Sequence, residues 1–184
     1  YLFSSIEKGA VAYISDRIIA GREKYIAVSD IRTAMALISR MFYGDPQTDL
    51  TTFAVTGTKG KTTTASLVAD ILNASGINTA YIGTTGIVMN GERTPTKNTT
   101  PESYELHRAF KTMVENGVSA VVMEVSSQAV YMRRVAGIHF HIGVFTNLSH
   151  DHIGGVEHPT FEHYMSCKAA MFAQCRYAIF NNDD

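Results

Sequence analysis

Between residues 56 and 63 the chain reads Thr56-Gly57-Thr58-Lys59-Gly60-Lys61-Thr62-Thr63, and these residue types at this spacing can hold phosphate. Glycines let backbone N–H groups curl toward phosphate oxygens without a Cβ in the way, and a helix starting at Lys61 adds the partial positive charge of its N-terminus. Lys61 is placed to reach the β- and γ-phosphates of a nucleotide, and the Thr62 hydroxyl to sit on a magnesium ion. Gly57, Thr58, Lys59, Gly60, Lys61, Thr62 and Thr63 are therefore the candidate nucleotide contacts. The general pattern GxxxxGK followed by Ser or Thr asks for a further glycine at position 55, which is Val55 here. A chance Gly-Lys-Thr turn at a helix start is the bland alternative. The strand-like Phe53-Ala54-Val55 before the loop and the helical segment after it favour nucleotide binding.

The elements that must position this loop alternate between strand and helix. Helical spacing runs from Lys61 to about Ser75, ended by Gly76, and Thr79 to Ile82 reads as the next strand. Asn90-Gly91, flanked by Ile87-Val88-Met89 and Glu92-Arg93-Thr94, predicts a hairpin. Pro101 is expected to open a helix to about Asn116. Val118 to Val125 and Ile138 to Thr146 are near-continuous apolar strands of the kind buried on both faces of a parallel sheet. A helix over about Phe161 to Gln174 and a strand from Tyr177 to Phe180 complete the pattern. The fold class expected is α/β: a mostly parallel sheet flanked by helices, with a partial small α/β domain before it. In that smaller part Ala10 to Ile14 and Tyr25 to Val28 are strand candidates. Asp30 caps a helix to Tyr43 that carries Ile31, Met35, Ile38 and Phe42 on one face. Gly44-Asp45-Pro46 and the polar residues after it mark the boundary, giving domains at 1–48 and 49–184.

The 184 residues are 45% hydrophobic and 18% charged, which suits a globular chain with a buried core. A net charge of −1 gives no general attraction to nucleic acid or acidic membranes, so neither is expected as a partner. No apolar run approaches the ~20 residues of a membrane-spanning helix. Two cysteines without a metal-type pair, and no signal peptide, favour a reduced cytoplasmic setting. The chain starts at Tyr1 inside an apolar stretch and stops at Asp184 just after a strand, so it is expected to be a piece of a longer protein.

The loop TGTKGKTTT resembles the shortened phosphate loop of the Mur ligase family. Three later segments fit that family in order: Asn98-Thr99-Thr100-Pro101, Met123-Glu124-Val125-Ser126-Ser127, and Phe145-Thr146-Asn147-Leu148-Ser149-His150-Asp151-His152, followed by a helix with Lys168. Within the family the likeness is greatest to the branch that adds the third residue of the cell-wall peptide. The resemblance implies ATP and Mg²⁺ as cofactors, with UDP-N-acetylmuramoyl-dipeptide and an amino acid as substrates. It also implies a monomeric enzyme of peptidoglycan precursor synthesis that couples ATP to amide formation through an acyl phosphate. This segment alone is expected to be inactive, because the resembling enzymes bring the amino acid on a C-terminal domain. Another Mur-type or folylpolyglutamate-type ligase, or a nucleotide-binding module without ligase activity, stays open at this point.

Residue by residue, the resemblance makes Glu124, at the end of a buried strand, a magnesium ligand; a carboxylate there is costly unless a metal or a donor meets it. It makes His152 a second metal ligand, where a lone loop histidine is usually only solvated. It makes Lys168 a carbamate formed with CO₂ that ligates the metal, a chemistry requiring a neutral amine, which burial favours. Lys61, His152 and Lys168 are thus the catalytic set, and Thr62, Glu124, His152 and Lys168 the metal set. Asn98, Thr99, Thr100, Ser126 and Arg134 resemble substrate contacts, with plain N-capping as the alternative for the first three. Met132 stands where resembling enzymes can carry glutamine.

Overall fold

The first part of the chain forms α1 (Leu2–Glu7), β1 (Tyr13–Ser15) and β2 (Tyr25–Ala27), the two strands pairing in parallel. The computed structural model describes residues 2–17, 25–151, 153–154 and 157–183. Helix α2 (Ile31–Phe42) begins where the sequence places its cap: Asp30 Oδ1 accepts from the backbone N–H groups of Arg32 and Thr33 at 3.0 and 3.1 Å. Its expected apolar face is open, however, with Phe42 72% exposed. The buried residues of α2 are Ala36 and Ser39, small side chains that let it lie against a later helix.

A short 3₁₀ turn (Pro46–Asp49) leads into β3 (Thr51–Thr56), α3 (Lys61–Ala74), β4 (Thr79–Gly83) and the hairpin β5 (Gly86–Met89) and β6 (Glu92–Thr94). Asn90 and Gly91 both take positive φ, 52° and 82°, as a two-residue turn matching the strand twist demands. Then follow α4 (Ser103–Glu115), β7 (Ala120–Glu124), α5 (Ser127–Tyr131), β8 (Phe140–Phe145), α6 (Phe161–Phe172) and β9 (Cys175–Phe180).

The main sheet has the order β6-β5-β4-β7-β3-β8-β9 and is parallel from β4 to β9. Only the hairpin pairs antiparallel. Side chains alternate across it. Ala54, Ile82, Val121 and Met123 face Leu106, Phe110 and Met113 of α4 and Met171 of α6, whereas Val55, Tyr81 and Val122 face Ala65 and Ala69 of α3. Both faces are therefore buried, which is why the sequence shows continuous apolar runs instead of alternation. Among the described residues no helix is long and apolar enough to cross a membrane.

Two local readings are corrected. Helix α4 begins at Ser103 rather than at Pro101, because the Thr100 side chain is bonded elsewhere and the N-cap is Glu102, without a side-chain cap bond. The one-turn helix α5, too short to show periodicity, was not expected; Ser126 caps it by accepting from the Ala129 N–H at 3.1 Å.

Candidate functional site

Sheet register decides what can meet. Val55 pairs with Glu124 and Thr56 with Phe145, so β3 ends between the ends of β7 and β8. The chain leaves β3 toward β4 on one side and returns to β8 on the other, and open parallel sheets bind ligands at such a reversal. The phosphate loop, the Glu124 segment and the Thr146–Asp151 segment all emerge at this edge.

The loop is stapled to the segment after β8. Thr58 N donates to Asn147 O at 2.8 Å and Lys59 N to Asn147 Oδ1 at 2.9 Å, while Asn147 Nδ2 donates back to Lys59 O at 3.0 Å. Thr146 Oγ1 also donates to Lys59 O, at 2.7 Å. Thr58 Oγ1 accepts from Ser149 N at 2.9 Å and from the buried Tyr164 hydroxyl of α6 at 3.0 Å. The amides of Thr58 and Lys59 thus fix loop shape. The amides of Lys61, Thr62 and Thr63 precede the first helical bond of α3, Thr64 N to Gly60 O, and point out of the helix start.

Gly57 is where this staple demands glycine. Its φ is +153°, and a Cβ would stand 1.9 Å from Thr146 Oγ1 and 3.1 Å from Asn147 N. Gly57→Ala is expected to destabilise the chain by roughly 1–3 kcal/mol through this overlap and to weaken nucleotide binding at least about tenfold. Chemical denaturation and calorimetric titration with ATP check both.

Two amino groups converge on one carbonyl. Lys61 Nζ donates to Gly57 O and Thr58 O, both at 2.9 Å, and Lys168 Nζ, from α6, donates to Gly57 O at 2.8 Å. Burial lowers the Lys61 pKa, opposed by the negative charges of Glu124 and Asp151. Lys168 is 3% exposed and lies 4.5 Å from the Tyr164 ring centroid. Burial first, then the charge of Lys61, push its amine down to about 7. Near neutral pH a large share of Lys168 is therefore the neutral nucleophile that carbamate formation requires.

Glu124 is fully buried. Its Oε1 accepts from the Tyr81 hydroxyl at 2.5 Å and Thr84 N at 2.9 Å; Oε2 accepts the Thr84 hydroxyl at 3.3 Å, a long contact that leaves lone-pair capacity for a cation. Burial and this carboxylate push the Tyr81 phenol up to about 12, so it stays a donor. Thr100 does not cap α4. Its hydroxyl donates to Glu124 O at 2.9 Å and accepts from Ser126 N at 3.1 Å, tying the Asn98–Thr100 segment to the end of β7. Arg134 is 8% exposed, ion-paired to Glu102 at 2.8 Å, and its Nη1 donates to Thr100 O at 3.3 Å.

A cleft of about 390 Å³ joins these parts: Lys61, Lys168, Asn98, Thr99, Ser126 and Arg134 all line it. Thr62 and Thr63 follow Lys61 in the first turn of α3. His152 lies outside the described residues. Sequence reasoning passed over Tyr81 and Thr84, which hold Glu124, and Tyr164, which holds the loop. A strand tyrosine and a helix tyrosine carry no local signal of such a partner.

The fold and this edge define a phosphate-loop α/β domain whose loop is bonded to the segment after a neighbouring strand. A family model described as the Mur ligase middle domain matches residues 55–184, and the chain belongs to that family. It is 42% identical over 191 residues to a UDP-N-acetylmuramoyl-L-alanyl-D-glutamate–2,6-diaminopimelate ligase of Chlorobium phaeobacteroides, covering 100% of this chain and 37% of that protein. It is likewise 42% identical to a UDP-N-acetylmuramoyl-L-alanyl-D-glutamate–L-lysine ligase of Streptococcus mutans, covering 99% of this chain and 38% of that protein. A solved structure of a UDP-N-acetylmuramoyl-L-alanyl-D-glutamate–2,6-diaminopimelate ligase superposes with TM-score 0.87 at 30% identity, over 99% of this chain and 37% of that one. The chain thus spans little more than a third of the length of these relatives.

Proposed function

We propose that this chain is the ATP-binding part of a cytoplasmic, monomeric amide ligase of peptidoglycan precursor synthesis. Residues 1–48 belong to its UDP-substrate domain and 49–184 to its central domain. The enzyme adds the third amino acid to UDP-N-acetylmuramoyl-L-alanyl-D-glutamate. The observation that carries this reading is the convergence of Lys61 and Lys168 on Gly57 O in a cleft that runs on to Asn98, Thr99, Ser126 and Arg134.

A carboxylate is a poor electrophile because oxide is a poor leaving group. Transfer of the ATP γ-phosphoryl to a substrate carboxylate gives an acyl phosphate, which the amine of the incoming amino acid attacks with loss of phosphate. The work of this chain is positioning and charge. The amides of Lys61 to Thr63 and the Lys61 ammonium hold phosphate oxygens; Asn98, Thr99, Thr100, Ser126 and Arg134 orient the UDP-substrate. The donor set fits magnesium: the Thr62 hydroxyl, the free capacity of Glu124 Oε2, His152, and Lys168 as a carbamate, which turns a cation into an oxygen ligand. A magnesium ion held there supplies neutralisation of the charge that develops on the phosphoryl group.

The chain is 42% identical to a diaminopimelate ligase and to a lysine ligase alike, so this likeness does not choose between the two amino acids. The test is therefore made on the carboxylate acceptor. The full-length ligase should release phosphate from ATP with UDP-N-acetylmuramoyl-L-alanyl-D-glutamate plus diaminopimelate or lysine, and not with a folate plus glutamate. Turnover with the folate alone would make it a folylpolyglutamate-type ligase, and ATP hydrolysis indifferent to either acceptor would reject ligase chemistry.

A further inference from the structure

Beside the cleft stands a group of ligand-type side chains that the ligase reading does not use: His158, His163 and Cys167. We propose that they form a second metal site, one for a thiophilic ion of the zinc class. His163 and Cys167 are one turn apart on the same face of α6, and Cys167 Sγ lies 3.9 Å from each ring nitrogen of His163. His158 reaches them from the segment before the helix, its Nδ1 2.9 Å from His163 Nδ1. One ligand atom from each residue lies within 4.8 Å of the other two. With Zn–N of about 2.0 Å and Zn–S of about 2.3 Å, a tetrahedral ion needs N···N of about 3.3 Å and N···S of about 3.6 Å. The His158–His163 and His163–Cys167 separations are within a few tenths of an ångström of those values; the His158–Cys167 separation, within 4.8 Å, closes by at most about 1.2 Å, through movement of the half-buried His163 ring and the Cys167 side chain.

The surroundings orient the ligands. His158 is 1% exposed, and its Nε2 lies 2.9 Å from Ser127 Oγ. With the proton on Nε2 donated to that hydroxyl, Nδ1 presents its lone pair toward His163. A hydrogen bond on the far nitrogen is the usual way a ligating imidazole is held. Cys167 is 8% exposed, so little water reaches its sulfur. Two imidazoles and a thiol without a carboxylate make a set suited to zinc and unsuited to magnesium, which sets this site apart from the Glu124 group. On binding, the Cys167 thiol gives up its proton to solvent, and the hydrogen shared between the two Nδ1 atoms moves to His163 Nε2. His158 also lines the cleft. The occupied site pins the segment before α6 to that helix one residue from Lys168. The inference rests on this geometry and not on the ligase reading.

The full chain, stripped with a chelator, is titrated with cobalt(II) while thiolate-to-cobalt charge-transfer absorption is followed. One equivalent should bring up the band, zinc should displace it, and excess magnesium should not. Cys167→Ser should remove the band, His163→Ala should weaken binding at least about tenfold, and Cys175→Ser should change neither. Should Cys167→Ser fail to fold, alkylation of the unaltered chain decides: zinc should slow modification of Cys167 at least about tenfold and leave Cys175 unaffected. No band, a band surviving Cys167→Ser, or no protection of Cys167 overturns the proposal.

Discussion

Lys61→Ala is expected to reduce kcat/KM for ATP-dependent ligation in the full-length enzyme by at least about a thousandfold, the scale of losing a preorganised donor at a site of developing charge. The expectation comes from the geometry. The Lys61 amino group is held at 2.9 Å by two loop carbonyls; burial lowers its pKa, and the negative charges of Glu124 and Asp151 oppose that. It is already where phosphate oxygens would replace those carbonyls as acceptors. Folding should survive, since alanine is a better helix former than lysine at the start of α3. Steady-state ligation alongside a thermal melt separates the two effects. An unchanged melting temperature with near-normal turnover would remove Lys61 from its assigned role. Lys61→Arg should not rescue, because a planar guanidinium cannot take the place of a compact ammonium between two carbonyls.

Lys168→Met should abolish ligation and at the same time stabilise the chain. The lysine is buried, and its folded-state pKa of about 7 lies below the 10.5 of an unperturbed lysine. The sign follows from linkage. Below pH 7 both states are protonated and the folded state bears the full cost of a buried cation. Between pH 7 and 10.5 the unfolded chain binds a proton that the folded chain has released, so stability of the unaltered chain rises with pH. The methionine variant should therefore be more stable by on the order of 1–2 kcal/mol at pH 6, and the gap should close as pH rises. Urea titrations in bicarbonate-free buffer at pH 6 and pH 9 check this. A gap that widens with pH would contradict the assigned cause. The pairing of lost activity with gained stability is what a residue kept for chemistry at the expense of packing produces.

Much of this was legible in the sequence because the cues were local. Gly57 through Thr63 announce a strand–loop–helix, Asp30 announces a cap, Asn90-Gly91 announces a hairpin, and each element stands where those residues put it. The long apolar runs at 118–125 and 138–146 gave the central strands, trimmed to Ala120–Glu124 and Phe140–Phe145 where backbone pairing ends. What escaped was set by partners distant in the chain. Nothing near Tyr81 says that its hydroxyl will meet Glu124, 43 residues on. Thr100 looked like a cap and became a bridge between Glu124 and Ser126 because β7 ends beside it. The open apolar face of α2 was read correctly as a face, but periodicity alone does not say what lies against it. His163 and Cys167 carried the spacing of a ligand pair, yet without His158 folded against them that spacing is common on any helix.

The reciprocal amide bonds between Asn147 and Lys59 carry a consequence for how an anion is received. A glycine-containing loop left to itself samples many conformations, and a ligand that must select one of them loses affinity to that ordering. Here the selection is made within the protein, by the segment after β8. The entropy of the incoming molecule is then the main freedom left to lose, and the segment that follows β8 acts as the template that keeps the receptor ready.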